Sequence, residues 1–342
     1  MHGLFIEDFP LVWNVGTKLF MRILYISDRA NGGILRHVKC LRECLPHKVI
    51  TYEVGHGGDE EFAGRNGHDL REFCQIRRVI KKFKPDVVHF HIPVLLMVLY
   101  IRFFTKIPIV RSWHTPTSGK EGLKRKFMRW LFGKKCYYLP VSKQTWAGLR
   151  KWESSLKGEV FFNPLNLAHY HLEVFKEGCK GKRPVVGMVG RNAEQKDWPS
   201  FHRVEFDVKT EMPDVEFVNG GECEPCNGLS EIKRMDVFVM TSKHEELPTT
   251  LLECFALGTA VCGFIPVGGV SDILAFSSGP LKEVFIKERD TARLAKIVSS
   301  LLRDEAKRKA VMEDGWQILI NHFDAHKNCH GQLLEIYGRL IK

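Results

Sequence analysis

The chain has 342 residues, 44% of them apolar and 27% charged, with a formal net charge of +11. That balance belongs to a folded globular protein long enough for two domains, and it excludes a disordered chain. The longest apolar run, residues 92–101 between His91 and Arg102, is too short to cross a bilayer.

Residues 1–20 contain Glu7, Asp8 and Pro10 and lack a basic start, so they read as an N-terminal extension rather than a secretory signal. The ten cysteines lack disulfide-framework spacing, which suits reduced thiols and a cytoplasmic setting. Cys223 and Cys226 form a lone Cys-x-x-Cys pair, and a structural zinc site needs four ligands, so no metal is expected there.

The first predicted strand is residues 21–27 (MRILYIS). Asn31-Gly32-Gly33 follows, and then Ile34, Val38, Leu41 and Leu45 share one helical face. A glycine turn opening a helix aims backbone amides at an anion, which makes Gly32 and Gly33 candidate ligand contacts. Leu70, Phe73, Ile76, Val79, Ile80 and Phe83 mark a second amphipathic helix. Residues 85–91 (PDVVHFH) and 109–114 (IVRSWH) predict two further strands, each ending in histidine. For His89 and His91 a satisfied strand-end histidine is as good a reading as a ligand contact. Residues 138–142 (YLPVS) and then 160–164 (VFFNP) close the first half. The apolar rhythm then breaks across residues 163–182, the expected domain boundary.

The second half repeats the alternation of strand and helix, so the fold class is α/β with parallel sheets. Residues 184–196 (PVVGMVGRNAEQK) give a strand, a Gly-Arg turn and a downstream lysine. Residues 237–240 predict a buried strand, and Pro248 opens a helix that Gly258 stops. Residues 260–264 make the next strand, which runs into Gly268-Gly269. Ligands bind at the carboxyl ends of strands in such units, the edge that carries Glu245 and Gly268-Gly269. Glu253, inside the helix, reaches the same crevice only if the helix N-terminus faces it; an ordinary solvated helix residue is the alternative. Residues 316–342 read as C-terminal helix.

Charge is unevenly spread. Residues 1–165 hold 28 Lys+Arg against 14 Asp+Glu and the rest 23 against 26, so the whole excess lies in the first half. Its densest patch, Lys120 to Lys135 (KEGLKRKFMRWLFGKK), places Leu123, Phe127, Trp130 and Leu131 on one helical face with Lys124, Arg125, Lys126 and Arg129 around it. That is the composition of an anchor for an anionic membrane surface. Packing of the same face on the first domain's sheet is the other reading. Nucleic acid is not expected as a partner, because the patch has no recognition motif.

The string from Asp236 to Leu274, with Glu245 and Glu253 eight positions apart, resembles the signature of retaining nucleotide-sugar glycosyltransferases of the family 4 (group 1) type. The resemblance extends through residues 184–196 and the strands of the first half. It implies a GT-B architecture: two Rossmann-like domains facing each other across a cleft, with a C-terminal helix crossing back to the first. The corresponding parts are an extension at 1–20, an acceptor domain at 21–165, a donor domain at 166–318 and the returning helix at 319–342. It also implies roles: Glu245 and His114 beside the transferred sugar, Glu253 on the donor ribose, and Arg191 and Lys196 on the donor diphosphate together with the amides near Gly268-Gly269. Two fixed cations at a strand end suit the charge that grows on a leaving pyrophosphate. The family usually has glycine after the first glutamate and after the lysine, where Glu246 and Asp197 stand here. The implied partners are a nucleotide-sugar donor and a glycan or lipid-linked acceptor, as in cell-surface polysaccharide or glycolipid synthesis, with no metal or other cofactor. A sugar-nucleotide epimerase of similar fold and an inactive glycan-binding or partner-binding homologue are the alternatives. The stretch from 219 to 235 is shorter than relatives have, so the donor base cannot be read from it.

Overall fold

The computed structural model describes residues 21–28, 32–45, 48–54, 70–117, 122–170, 183–222 and 227–342. The expected extension at 1–20, Asn31, Lys120, the Cys223/Cys226 pair and residues 171–182 of the boundary segment lie outside the described residues.

Six strands form the first sheet: β1 (Arg22–Asp28), β2 (Lys48–Val54), β3 (Val87–Phe90), β4 (Ile109–Trp113), β5 (Cys136–Pro140) and β6 (Lys157–Gly158). Helices α1 (Gly32–Cys44), α2 (Leu70–Phe83), α3 (Leu95–Phe104), α4 (Leu123–Phe132) and α5 (Lys143–Trp152) connect them. The second sheet contains β7 (Val185–Val189), β8 (Glu216–Gly220), β9 (Val237–Met240), β11 (Ala260–Phe264) and β13 (Phe285–Ile286), while β10 (His244–Glu245) pairs apart from it with β12 (Val267–Gly268). Its helices are α6 (Trp198–Glu211), α7 (Gly228–Arg234), α8 (Thr249–Ala256), α9 (Val270–Ala275), α10 (Thr291–Arg303) and α11 (Glu305–Ile318), and the chain ends in α12 (His330–Ile341).

The two sheets share one topology. The first runs β2-β1-β3-β4-β5-β6 and the second β13-β11-β9-β7-β8, all parallel. In each, the second strand lies on one side of the first and the third on the other. This leaves a crevice at the carboxyl edge beside β1/β3 and another beside β7/β9, the place where such sheets bind ligands. The strands are apolar on both faces because helices cover both. Ile23, Leu24, Tyr25 and Ile26 of β1 are fully buried, as are Val237 and Val239 of β9.

Among the described residues between β8 and β9 stands one seven-residue helix, α7. At the other end of the chain, α11 passes through a π-helical turn at Leu319–Phe323 and breaks at Asp324. The Asp324 carboxylate accepts from the amides of His326 and Lys327 and so starts the return segment. At this break the chain runs beside the domain linker: Leu165 N–H donates to the Phe323 carbonyl, and Ala325 N–H to that of Leu165. α12 then packs on the first domain, with Leu333, Ile336 and Tyr337 buried against Ile23, Tyr25, Val110 and Leu139.

Candidate active site

The carboxyl edge of the second sheet is built around a tight turn. After β7 and the Gly190-Arg191 turn, the chain makes a short helical turn at Glu194–Lys196 and enters α6 through Asp197. Asp197 has φ 54° and ψ 54°, the left-handed conformation that favours glycine and that Asp and Asn tolerate better than other side chains. The expected glycine position therefore keeps its geometry with an aspartate. That aspartate is held by the Ser200 hydroxyl at 2.7 Å and by the Arg289 guanidinium. Burial alone would raise its carboxyl, but these two donors hold it below the ordinary value. Arg289 also donates to the Thr241 carbonyl at 2.5 Å and lies over the Phe264 ring at 4.5 Å. Through it, the ends of β9 and β11 and the start of α6 are tied to one cation.

Lys196 and Glu245 meet at the centre of this edge, with Nζ donating to Oε1 at 2.7 Å. Both side chains are largely buried, at 19% and 10% exposure. β10 and β12 lie so close here that a Cβ on Gly268 would sit 1.8 Å from the Glu245 carbonyl oxygen, and its φ of 128° is open only to glycine. Gly268 and Gly269 thus shape the turn. Their amides, however, are taken: Gly268 N–H donates to the Gln144 side chain at 2.6 Å, and Gly269 N–H to the Glu245 carbonyl at 2.8 Å. In this structure they are not free for a diphosphate, because the turn closes on β10 and on α5.

Glu253 is 1% exposed, in a helix whose residues from Leu251 to Ala256 are all buried. The alternative of a solvated helix residue does not hold. Its carboxylate accepts from the Arg36 guanidinium, which comes from α1 of the first domain. Arg191 is exposed, with no ion pair to its side chain among the described residues; its carbonyl accepts from the Trp198 indole at 3.3 Å. Gly32 and Gly33 open α1 as expected.

Glu246 points away from Lys196. The Thr145 hydroxyl at the start of α5 donates to its carboxylate, and burial raises its carboxyl above the ordinary value. Asp272 reaches the same helix end and accepts from Lys143 N–H at 2.6 Å. A cleft of about 260 Å³ between α5 and β12 is lined by Thr117, Gln144, Thr145, Lys151, Trp152 and Glu246, among others.

The histidines of the first domain divide into two kinds. His89 is satisfied: its Nδ1 is 2.7 Å from the Tyr337 hydroxyl and its Nε2 is 2.9 Å from the Ser112 hydroxyl. His114 instead lies against His37 and His91, with ring centroids 5.0 Å and 5.9 Å away. Burial lowers the His114 imidazole to about 4.

Arg36, His37, Arg289, Gln144 and Thr145 were not foreseen as site residues. The sequence signal that could have found Arg289 is a cation placed just after a strand of the second sheet, at the edge where ligands bind. Arg36 and His37 carry no such mark.

The description Glycosyltransferase Family 4 matches residues 32–167, and Glycosyl transferases group 1 matches residues 221–316. One lies in each domain, and together they span more than half of the chain. A 2-deoxystreptamine N-acetyl-D-glucosaminyltransferase of Streptomyces fradiae is 30% identical over 162 residues, which are 39% of this chain and 38% of that relative. Among solved structures, the fold is similar to Anabaena Alr3699/HepE in complex with UDP-glucose, at TM-score 0.71 and 14% identity over 93% of this chain and 100% of that one. It is similar also to a glycosyltransferase from Rickettsia africae ESF-5, at TM-score 0.72 and 15% identity over 95% of this chain and 100% of that one. With two domain matches, a related transferase and the same two-sheet architecture, this chain belongs to the group 1 glycosyltransferases of the family 4 type and has their GT-B fold.

Proposed function

We propose that the chain is a retaining glycosyltransferase that moves a sugar from a nucleotide-diphospho-sugar to a hydroxyl of a glycan or lipid-linked acceptor, in cell-surface polysaccharide or glycolipid synthesis. The observation that carries the reading is the Lys196–Glu245 pair at 2.7 Å beside the Gly268-Gly269 turn. A lysine ammonium has three N–H donors, so Glu245 can orient it while two remain for phosphate oxygens. Arg191, exposed at the end of β7, supplies a second cation to the same diphosphate. The Alr3699/HepE structures with UDP-glucose and with UDP support a nucleotide donor for this fold.

In this reading Glu253 takes the ribose hydroxyls, with Arg36 holding its carboxylate until the donor arrives. Lys196 and Arg191 neutralise the charge that grows on the leaving diphosphate, a task that needs no metal. Glu245 and His114 orient the sugar, and the acceptor hydroxyl attacks from the face the phosphate leaves, so the anomeric configuration is kept. The cleft between α5 and β12, with Trp152, Lys151 and Gln144 in its wall, suits part of a sugar acceptor. Glu246 and Asp197 do not favour an inactive homologue, because the first turns to Thr145 and the second keeps the turn.

The acceptor side is read as attached to an anionic membrane surface. α4 buries Met128, Leu131 and Phe132 but leaves Leu123 86% and Trp130 63% exposed beside Lys124, Arg125 and Lys126. α3, joined to it by the Arg102 donation to the Phe132 carbonyl, adds exposed Phe103 and Phe104. Exposed aromatic side chains ringed by cations are the composition of an interfacial site. No helix among the described residues is long and apolar enough to cross a membrane.

Incubation with a panel of nucleotide-diphospho-sugars, without acceptor, tests the activity. A transferase releases free sugar and nucleoside diphosphate slowly from one of them. An epimerase returns an altered nucleotide-sugar, and an inactive homologue returns the panel unchanged; either result ends the proposal.

A further inference from the structure

We propose that His37, His91 and His114 form a binding site for one divalent transition-metal ion, zinc above all, on the first domain. Three separate elements deliver them: His37 from the middle of α1, His91 from the end of β3 and His114 from the end of β4. Each offers a ring nitrogen, and the three nitrogens lie within 4.8 Å of one another. His37 and His91 are 2% and 4% exposed. Both ring nitrogens of each, and Nε2 of His114, are buried with no hydrogen-bond partner among the described residues.

That is an unusual concentration of unmet polar atoms. A buried polar group without a partner costs about 1–3 kcal/mol, and His89, two residues before His91, avoids the cost by pairing with Tyr337 and Ser112. A cation bound by one nitrogen of each ring meets three of the five unpartnered atoms at once. The rings are suitable ligands because a neutral imidazole offers a metal ion the lone pair of one ring nitrogen. Zinc–nitrogen bonds of about 2.0–2.1 Å draw tetrahedral ligand atoms to about 3.4 Å apart, so small ring rotations close the site. His114 is the partly exposed member and gives solvent, and hence the ion, its approach.

Three imidazoles leave one coordination position for an oxygen ligand. The proposed donor clamp does not supply any of these ligands, since Lys196, Glu245 and Arg191 belong to the second domain. A metal here is therefore separate from neutralisation of the diphosphate, and it shares one residue, His114, with the sugar contacts of the transferase reading. The site lies at the carboxyl edge of the first sheet, next to Arg36, which reaches across to Glu253.

Cobalt is the probe. The full chain, stripped with chelator and titrated with Co²⁺, is expected to bind one equivalent with the visible band of tetrahedral imidazole ligation and without the near-ultraviolet charge-transfer band that thiolates such as Cys40 and Cys44 would add. Zn²⁺ should displace it and raise the Tm. His37→Gln and His91→Gln should each weaken binding about tenfold or more, since even outer-sphere changes cost 10–100-fold, while His202→Gln on α6 should not. Should either variant fail to fold by circular dichroism, His114→Asn at the partly exposed position decides in its place. Absence of a stoichiometric cobalt complex, a thiolate spectrum, or binding unchanged in the histidine variants overturns the proposal. No donor or acceptor enters these measurements, so their failure is distinct from failure of the transferase reading.

Discussion

Asp197 shows what a single residue does at this site. Its left-handed backbone and its contact with Arg289 can be separated by substitution. Asp197→Ala should cost about 1–2 kcal/mol for the backbone conformation alone, in addition to the lost contacts. Asp197→Asn tolerates that conformation and removes only the charge. Because the Asp197 carboxyl is held below its ordinary value when folded, its stabilising effect is present above the unfolded value and is lost as pH falls through the folded one. Chemical denaturation should therefore find Asp197→Asn less stable than wild type at neutral pH, with the difference closing as pH falls through the lowered folded value of the Asp197 carboxyl.

The two proposed phosphate cations should also behave differently. Arg191→Ala removes an exposed side chain and should lower turnover by about 10²–10³-fold while stability changes by less than about 0.5 kcal/mol. Lys196→Ala should lose as much turnover and also lower the Tm, because it leaves the Glu245 carboxylate buried without its partner. Near-normal turnover in either variant would end the diphosphate role. Glu245, Glu253, Arg191, Lys196 and Gly268-Gly269 were proposed by resemblance to a family signature, and the structure brings Lys196, Glu245 and Gly268 together at one sheet edge. Arg36 and His37 were not proposed, because the pattern of α1 reveals its buried stripe and says nothing about the side chains beside it.

At the scale of elements, periodicity found α4 but grouped Leu123, Phe127, Trp130 and Leu131 on one face. The structure divides that face. Leu131 joins Met128 and Phe132 in the core, and the others remain outside, with Phe127 and Trp130 stacked on each other at 5.9 Å. A sequence shows that a helix is amphipathic but not what covers its edge. Phe127→Ser with Trp130→Ser should reduce sedimentation with anionic vesicles at low salt and change stability by less than about 0.5 kcal/mol per site, since neither ring is part of the core. Undiminished vesicle binding would remove α4 as the anchor. The short pairing of β10 with β12 was also not foreseen, because two-residue strands carry no alternation to detect. Yet that pairing brings Glu245 against Gly268.

At the scale of the molecule, strand and helix alternation was enough to give parallel α/β units, while the return of the C-terminal helix to the first domain came from the family resemblance. What joins them was not readable, since cross-domain contacts fall between residues far apart in sequence with no shared period. Arg36 holds Glu253, Gln144 holds the Gly268 amide, Thr145 holds Glu246, and Asp272 holds the start of α5. All four involve residues of the candidate donor edge or their neighbours. A donor entering this cleft must displace or share these contacts, so binding and domain arrangement are coupled. Arg36→Ala should leave the fold intact and change the affinity for donor more than the turnover of bound donor, which a comparison of KM with kcat will show.

The decisive measurement is calorimetric titration of wild type, Arg191→Ala and Glu253→Ala with nucleoside diphosphates carrying uracil, guanine or adenine. Hydrogen bonds to charged groups are worth about 1.5–3 kcal/mol, so one member of the panel should bind the wild type and bind each variant at least about tenfold more weakly. Equal affinity in the variants, or no binding of any of the panel to the wild type, would rule out the donor site described for Glu253, Lys196 and Arg191.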